Sequence, residues 1–553
     1  MKKLTLLTNP EQMKNSFFPV FFFLLALILT TCKMPEEKLS EQNIQKPNII
    51  YILADDMSYY DISGLGQKHF DTPNLDKLMQ EGMFFHEAYA GSPECAPSRG
   101  SLLTGMHMGH CRIRCNRSFR GQDYLENEDI TIGEMMQKAG YTTGMFGKWG
   151  VGIPGTPGTP DKQGFDYSIG YYDQLRAHGF FPNYLMENGE VIPLPENYGF
   201  DMRNSYRHSG SLIGLHTYDE NGKLIPKGVK DPAKTTYSQN MIQEKALKFI
   251  EDNKDNPFFL YYPTQLPHGP LIVPDISKFM DKPWDMKHKE WAAMIELLDT
   301  HVGQIVELLE KLGLRENALI LFSSDNGYAH WGYNGRKRYL DDPIFDNKGP
   351  WDKGKFIATD GGSRVPMLAN WPNVIKPGTS SNTIVALYDI FATVCDIADV
   401  EPPKTDGKSF LPILKGEYPK DKQLHEYLYW ENGTHNRDMQ SARFRNWFAY
   451  RENYTNSVKV FDLSKDITCS VNLAGSKPEI VEEALEIFKK EHVPSLWYSN
   501  PEDTKEERAI KQEKAKSDFS KVTRPNSRRP QTMKELKEML DAQETLVNTY
   551  PDE

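Results

Sequence analysis

Three short stretches of this chain are apolar without interruption, and polar residues follow each of them closely. Ile49-Ile50-Tyr51-Ile52-Leu53-Ala54, led by Pro47-Asn48, is followed at once by Asp55 and Asp56. Residues 318–323 run into Ser324-Asp325-Asn326-Gly327, and residues 258–262 end before Pro263. Runs this short and this uniform predict strands buried on both faces, as in a parallel sheet. Between them the spacing becomes helical. Thr131 and Glu134 form a capping box ahead of residues 132–138, and Gly140 closes that helix. Residues 291–312 carry apolar positions at helical spacing with Gly313 as the stop, and residues 381–400 predict another long element. Strand, crossover helix and strand in alternation predict an α/β sandwich with a large, mostly parallel central sheet. Open sheets of this kind gather ligands at the carboxyl ends of their strands, where the polar clusters fall.

Beyond residue 416 the pattern changes to short strand-like runs at 427–430, 447–450 and 458–461, then a helix at 479–490. This predicts a smaller C-terminal α+β domain with an antiparallel sheet over residues 417–500. A Lys- and Glu-rich extension follows at 501–553, and the large domain occupies 47–416. A length of 553 residues fits two such units rather than one. At the other end, an apolar run of 13 residues, 17–29, behind Lys2, Lys3 and Lys14 is too short to span a bilayer and reads as a signal-peptide core. Leu29-Thr30-Thr31-Cys32 resembles a bacterial lipobox. It implies a processed segment 1–32, a lipid on Cys32, a tether over 33–46, and an exported periplasmic or surface lipoprotein of a Gram-negative bacterium.

The net charge of −11 argues against a general nucleic-acid binder, while leaving room for a local basic cluster around an anionic substrate. Six cysteines form neither a disulfide framework nor a zinc pattern; Cys111 and Cys115 are close enough to pair or to remain free. Asp55 and Asp56 at one strand end, with Asp325 and Asn326 at another, offer oxygen donors to one hard cation, Ca²⁺ or Mg²⁺.

The run Cys95-Ala96-Pro97-Ser98-Arg99-Gly100-Ser101-Leu102-Leu103-Thr104-Gly105 resembles the maturation signature of the formylglycine-dependent (type I) sulfatases. Pro97 suits the start of a helix, whose free N–H groups favour an anion, and Arg99 lies one turn from Cys95. Further segments resemble the same family: Asp55-Asp56-Met57-Ser58 with Asp61, Thr72-Pro73-Asn74-Leu75-Asp76, Gly82-Met83-Phe84-Phe85, Gly144 to Gly150, Pro267-His268-Gly269-Pro270, and Lys355 ahead of Gly361-Gly362-Ser363-Arg364-Val365-Pro366.

The resemblance implies an alkaline-phosphatase-like sandwich and a sulfuric ester hydrolase acting on a sulfated mono-, oligo- or polysaccharide. It implies a formylglycine made from Cys95 by a maturation enzyme and one cation held by Asp55, Asp56, Asp325, Asn326 and residue 95. Arg99 and Lys148 then hold the nucleophile and the sulfate, and His268 or Lys355 protonates the leaving oxygen. Gly150 stands where the family usually has histidine; His178, downstream of Gly170-Tyr171-Tyr172-Asp173-Gln174, is the expected replacement and proton acceptor. His330 and His435 are further substrate-side candidates, and His107 and His110 line the rim or pack. Arg443 and Arg445 suit an anionic carbohydrate. Two other readings stand beside this one: a phosphate or phosphonate monoester hydrolase, and an inactive glycan-binding lipoprotein.

Overall fold

The computed structural model describes residues 46–119, 121–174, 176–200, 216–329, 344–351, 353–434, 437–514, 534, 537, 538 and 541. The expected signal segment with Cys32, most of the tether, and His330 and His435 lie outside the described residues. Among the described residues no helix is long and apolar enough to cross a membrane.

A ten-stranded sheet forms the centre. Its strands are β1 (Asn48–Ala54), β2 (Met83–Phe85), β3 (Thr142–Lys148), β4 (Tyr167–Tyr171), β5 (Tyr184–Glu187), β6 (Glu190–Pro193), β7 (Phe258–Pro263), β8 (Ala318–Ser324), β9 (Met367–Asn370) and β10 (Thr379–Ser381), in the order β10-β2-β9-β8-β1-β7-β3-β4-β5-β6. The five middle strands, β8 to β4, are parallel, and antiparallel pairs flank them. The uninterrupted apolar runs are explained by the two faces of the sheet. On β1, Ile49, Tyr51 and Leu53 enter one core while Ile50, Ile52 and Ala54 enter the other. Strands β7 and β8 divide their residues in the same way.

The helices that matter for the site are α1 (Cys95–Thr104), α2 (Ile132–Lys138) and α3 (Met286–Lys311). The capping box on α2 forms as expected, with Thr131 Oγ1 accepting from the Glu134 N–H and Glu134 Oε2 accepting from the Thr131 N–H. α3 begins five residues before the expected start. The expected long element at 381–400 is a short strand at Val385–Ala386 followed by a helix at Asp389–Ile397.

The C-terminal sheet has four antiparallel strands, β11 (Tyr427–Thr434), β12 (Arg437–Phe444), β13 (Trp447–Arg451) and β14 (Lys459–Asp462), covered by α4 (Pro478–Glu491). β12 carries no apolar signature. Its buried Asp438 accepts from Arg508 through Oδ2, and its buried Gln440 bonds Tyr429 and Arg451. The start of the charged extension is a helix, Lys505–Lys514. It is docked by Arg508 on Asp438 and by Lys511 on the Ser495 and Tyr498 carbonyls.

The far end of α1 is fastened to the far end of α4. His107 Nδ1 accepts from the Gly109 N–H at 3.1 Å, so its proton sits on Nε2 and is donated to Glu491 Oε2 at 2.9 Å. His110 stacks on His107 at 4.2 Å and bonds Asp406 at 2.9 Å. Because the Nε2 lone pair of His107 is unavailable, this group is a hydrogen-bonded clasp rather than a metal centre. Gly109 permits it, since a Cβ there would lie 1.9 Å from the Glu491 carbonyl oxygen. Hydrogen bonds from His107, then Tyr427 and Lys490, hold the Glu491 carboxyl well below its ordinary value of 4.5. The ionised form therefore favours the folded state. That contribution is complete above 4.5 and fades as pH falls below it. Glu491→Gln is expected to lower the melting temperature at neutral pH, with the gap to the parent closing on acidification. Melts over a pH series check this, and a gap independent of pH would contradict it.

Candidate active site

Two backbone hydrogen bonds align the strand ends that build the site: Asp55 N–H to Leu266 O and Asp325 N–H to Ala54 O, both 3.0 Å. They bring the carboxyl ends of β1, β7 and β8 level. Asp56 takes a left-handed conformation, φ 69°, and its N–H reaches Asp325 Oδ1 at 3.2 Å. Asn326 Nδ2 donates to Asp56 Oδ1 at 2.7 Å.

The three basic residues meet these acids inside the protein. Arg99 donates through Nε and Nη2 to Asp325 Oδ2 at 3.1 and 2.8 Å, and through Nη1 to the Lys148 carbonyl at 2.6 Å. Lys148, the last residue of β3, reaches Asp55 Oδ2 at 2.7 Å. Lys355 Nζ lies 2.6 and 2.7 Å from the two Asp56 oxygens and 3.0 Å from Cys95 Sγ. Although burial opposes it, Asp56 and Cys95 hold the Lys355 ammonium well above its ordinary value. Burial pushes the Cys95 thiol up to about 12 despite Lys148 and Lys355. Burial and Asp55 raise the Asp325 carboxyl, with Arg99 working against them.

His268 is buried, with Nδ1 against the Gly269 carbonyl and Nε2 3.4 Å from Asp56 Oδ2. Burial, His178, Lys355 and Lys148 all hold its pKa well below the usual histidine range. His178 stacks on it, ring centroids 4.1 Å apart.

The structure thus brings together Asp55, Asp56, Cys95, Arg99, Lys148, His178, His268, Asp325, Asn326 and Lys355, from seven separate segments. Ligand atoms of Asp55, Asp56, Cys95 and His268 all lie within 4.8 Å of one another. Asp55 Oδ1 and Asn326 Oδ1 are buried and accept no hydrogen bond. Two orphaned hard oxygens beside Asp56 are donors of the kind a hard divalent cation takes. Asp325 lines the same centre but faces Arg99, the strongest partner within its reach.

Several expectations change. The second amide of α1 is not free for an anion, because Ala96 N–H donates to Asn116 Oδ1 at 2.9 Å. Of the two alternatives left open for Cys111 and Cys115, the structure shows no disulfide between them, and Cys115 donates to Glu94 Oε2. Arg445 is engaged by Glu483 of α4, and Arg443 is buried with its nearest carboxylate, Glu87, at 3.7 Å. Gln174, named in the sequence only as part of the stretch ahead of His178 and given no role there, packs against Gly150. It was detectable only as the neighbour of a glycine standing where a side chain is usual.

The family model described as Sulfatase matches residues 47–400, and that described as N-sulphoglucosamine sulphohydrolase, C-terminal, matches residues 347–490. The chain is 28% identical over 513 residues to an N-acetylgalactosamine-6-O-sulfatase of Bacteroides thetaiotaomicron, covering 84% of this chain and 96% of that protein. It is 31% identical over 401 residues to arylsulfatase G of Mus musculus, covering 70% and 72% of the two chains. The solved structure of Ps i-CgsB in complex with k-i-k-neocarrahexaose is similar with a TM-score of 0.65 at 26% identity, over 87% of this chain and 100% of that one. With its signature cysteine embedded among these acids and bases, the chain belongs to the formylglycine-dependent sulfatases and is a hydrolase of sulfated substrates.

Proposed function

We propose that this enzyme removes sulfate from a sulfated carbohydrate, using residue 95 as a formylglycine and one Ca²⁺ or Mg²⁺ ion. The observation that carries this reading is the position of Cys95: its sulfur touches Lys355 and lies inside the acidic group that the orphaned oxygens of Asp55 and Asn326 complete. Similarity to proteins named as N-acetylgalactosamine-6-sulfatases, and to a structure holding a carrageenan oligosaccharide, supports a sugar ester. Maturation by a formylglycine-generating enzyme, export through residues 17–29 and a lipid on Cys32 complete the proposal from sequence.

The aldehyde hydrate supplies two hydroxyls on one carbon, one to attack sulfur and one to give up a proton later; the cation, held by Asp55, Asp56 and Asn326 with Asp325 beside them, supplies Lewis acidity. Everything else falls to the chain's own side chains. Arg99, fixed by Asp325 and the Lys148 carbonyl, keeps its guanidinium beside the nucleophile. Lys148 and Lys355 bring positive charge to the sulfuryl oxygens at the moment charge grows there. Lys355 stays protonated. His268 faces the centre with Nε2, and because its Nδ1–H is directed at the Gly269 carbonyl it gives up a proton from Nε2 only as the imidazolium; the leaving oxygen therefore takes its proton from the Lys355 ammonium directly, or from His268 once His268 has gained one. His178, stacked on His268, takes the proton whose loss lets sulfate depart.

Cys95→Ala is expected to abolish sulfate release from matured protein while leaving the fold intact. Sulfate assays beside intact-mass detection of the aldehyde check this, and turnover by the variant equal to the parent's would end the proposal. His268→Ala is expected to lower kcat by about 10²–10⁴-fold on a sugar sulfate. The loss should be smaller on an aryl sulfate, whose leaving oxygen needs less help; equal losses on both would remove His268 from that step. Chelation should silence the enzyme, with Ca²⁺ or Mg²⁺ restoring it. Asn326→Ala should raise the cation concentration needed, read by titrating activity against free metal.

A further inference from the structure

The carboxamide of Gln174 is fully buried, and neither of its polar atoms has a hydrogen-bond partner. Its backbone is fixed, since the N–H donates to Gln122 Oε1 at 2.9 Å. The side chain nevertheless offers two donors and an acceptor to nothing. Burying a primary amide in this way is unfavourable, and an apolar side chain of the same size would fill the space without that cost.

Its location gives the reason. An ideal Cβ on Gly150 would lie 2.5 Å from Gln174 Oε1 and 3.7 Å from the Arg99 Cδ, so the carboxamide lies along the Gly150 α-carbon with Arg99 close by. Gly150 adopts φ 83°, a conformation that disfavours any side chain. Two residues earlier stands Lys148, which binds Asp55 through Nζ and Arg99 through its carbonyl. The unpartnered amide therefore belongs to the same wall as Arg99 and Lys148. Asp55 Oδ1 and Asn326 Oδ1, which also accept no hydrogen bond in this centre, are acceptors suited to a cation. Gln174 is the group among them that can donate to an anion.

We propose that Gln174 contacts the substrate directly, its carboxamide N–H donating to an oxygen of the sulfuryl group held beside Arg99; this rests on the sulfatase reading above. A carboxamide neither titrates nor accepts a proton at working pH. Its contribution is orientation and charge stabilisation, and proton transfer is left to His178, four residues further on. The space that a side chain at position 150 would need is already taken, so position 150 stays glycine.

The test uses matured full-length enzyme carrying Gln174→Leu, Gln174→Ala or Gln174→Glu. Removing an unsatisfied buried amide should leave the melting temperature of Gln174→Leu equal to or above the parent's. Its kcat/KM should fall by about tenfold to a hundredfold, the loss expected for a hydrogen bond to a charged group. The shape of the pH profile should not change. Gln174→Glu should lose more, because it sets a negative charge against sulfate. A second readout avoids turnover: inorganic sulfate binding to Cys95→Ala protein, by calorimetry, should weaken about tenfold when Gln174→Leu is added. A Gln174→Leu enzyme that melts lower yet turns over and binds sulfate like the parent would make Gln174 a packing residue and overturn the inference. A shifted pH profile would overturn direct contact in favour of action through His178. If matured parent enzyme cleaves no sulfate ester, the sulfatase reading itself fails, an outcome distinct from an active parent with an equally active variant.

Discussion

Three carboxylates and three cations, all withdrawn from water, hold one another in place where β1, β3 and β8 end. Asp55, Asp56 and Asp325 face Lys148, Lys355 and Arg99, and each of the six is buried. Desolvating one such charge alone is costly, and breaking a buried pair costs about 3–5 kcal/mol, so the six must assemble together. Strand alignment makes this possible, because two 3.0 Å backbone bonds fix the acids before any side chain is placed. The charges cancel among themselves. A divalent cation would therefore leave the centre positive, and a sulfate ester is an anion. The same surroundings set two basic groups apart: Lys355 is held as an ammonium because it faces Asp56, whereas His268, buried and then crowded by a second ring and two lysines, is driven toward the neutral form.

Much of this was legible in the chain. The strands carrying the acids are buried on both faces, so their sequences are apolar throughout and end abruptly in polar residues. The segment from Cys95 to Gly105 pointed both to the cysteine at the centre and to the arginine one turn away. Hidden elements were those whose cause is tertiary. β12 reads as polar because its buried Asp438 and Gln440 are paired with residues 11 to 70 positions away. Residues 286–290 contain His288 and Glu290 that are buried by packing, so the first turns of α3 have no amphipathic mark. Asn116 caps α1 from a loop, and Gln174 meets Gly150 across strand ends; no periodicity signals either.

The segment after β4 makes two different contacts four residues apart. Gln174 lies against the glycine of the Lys148 strand, and His178 lies on the ring of His268. One contact is neutral and directional; the other joins two titratable rings. On the proposal made above, orientation of an anion and movement of a proton would fall to separate side chains on one stretch of backbone.

Glu94, the residue before Cys95, gives the small sheet a further meaning. It is buried, and its Oε1 accepts from Asn432 Nδ2 at 3.0 Å, while two residues earlier on β11 Trp430 Nε1 donates to the Ala90 carbonyl at 2.8 Å. The first strand of the C-terminal unit is therefore part of the bed on which residue 95 rests. Recombination between relatives could not treat that unit as an interchangeable module, because a transplanted sheet would have to bring along a donor matched to the acid at 94.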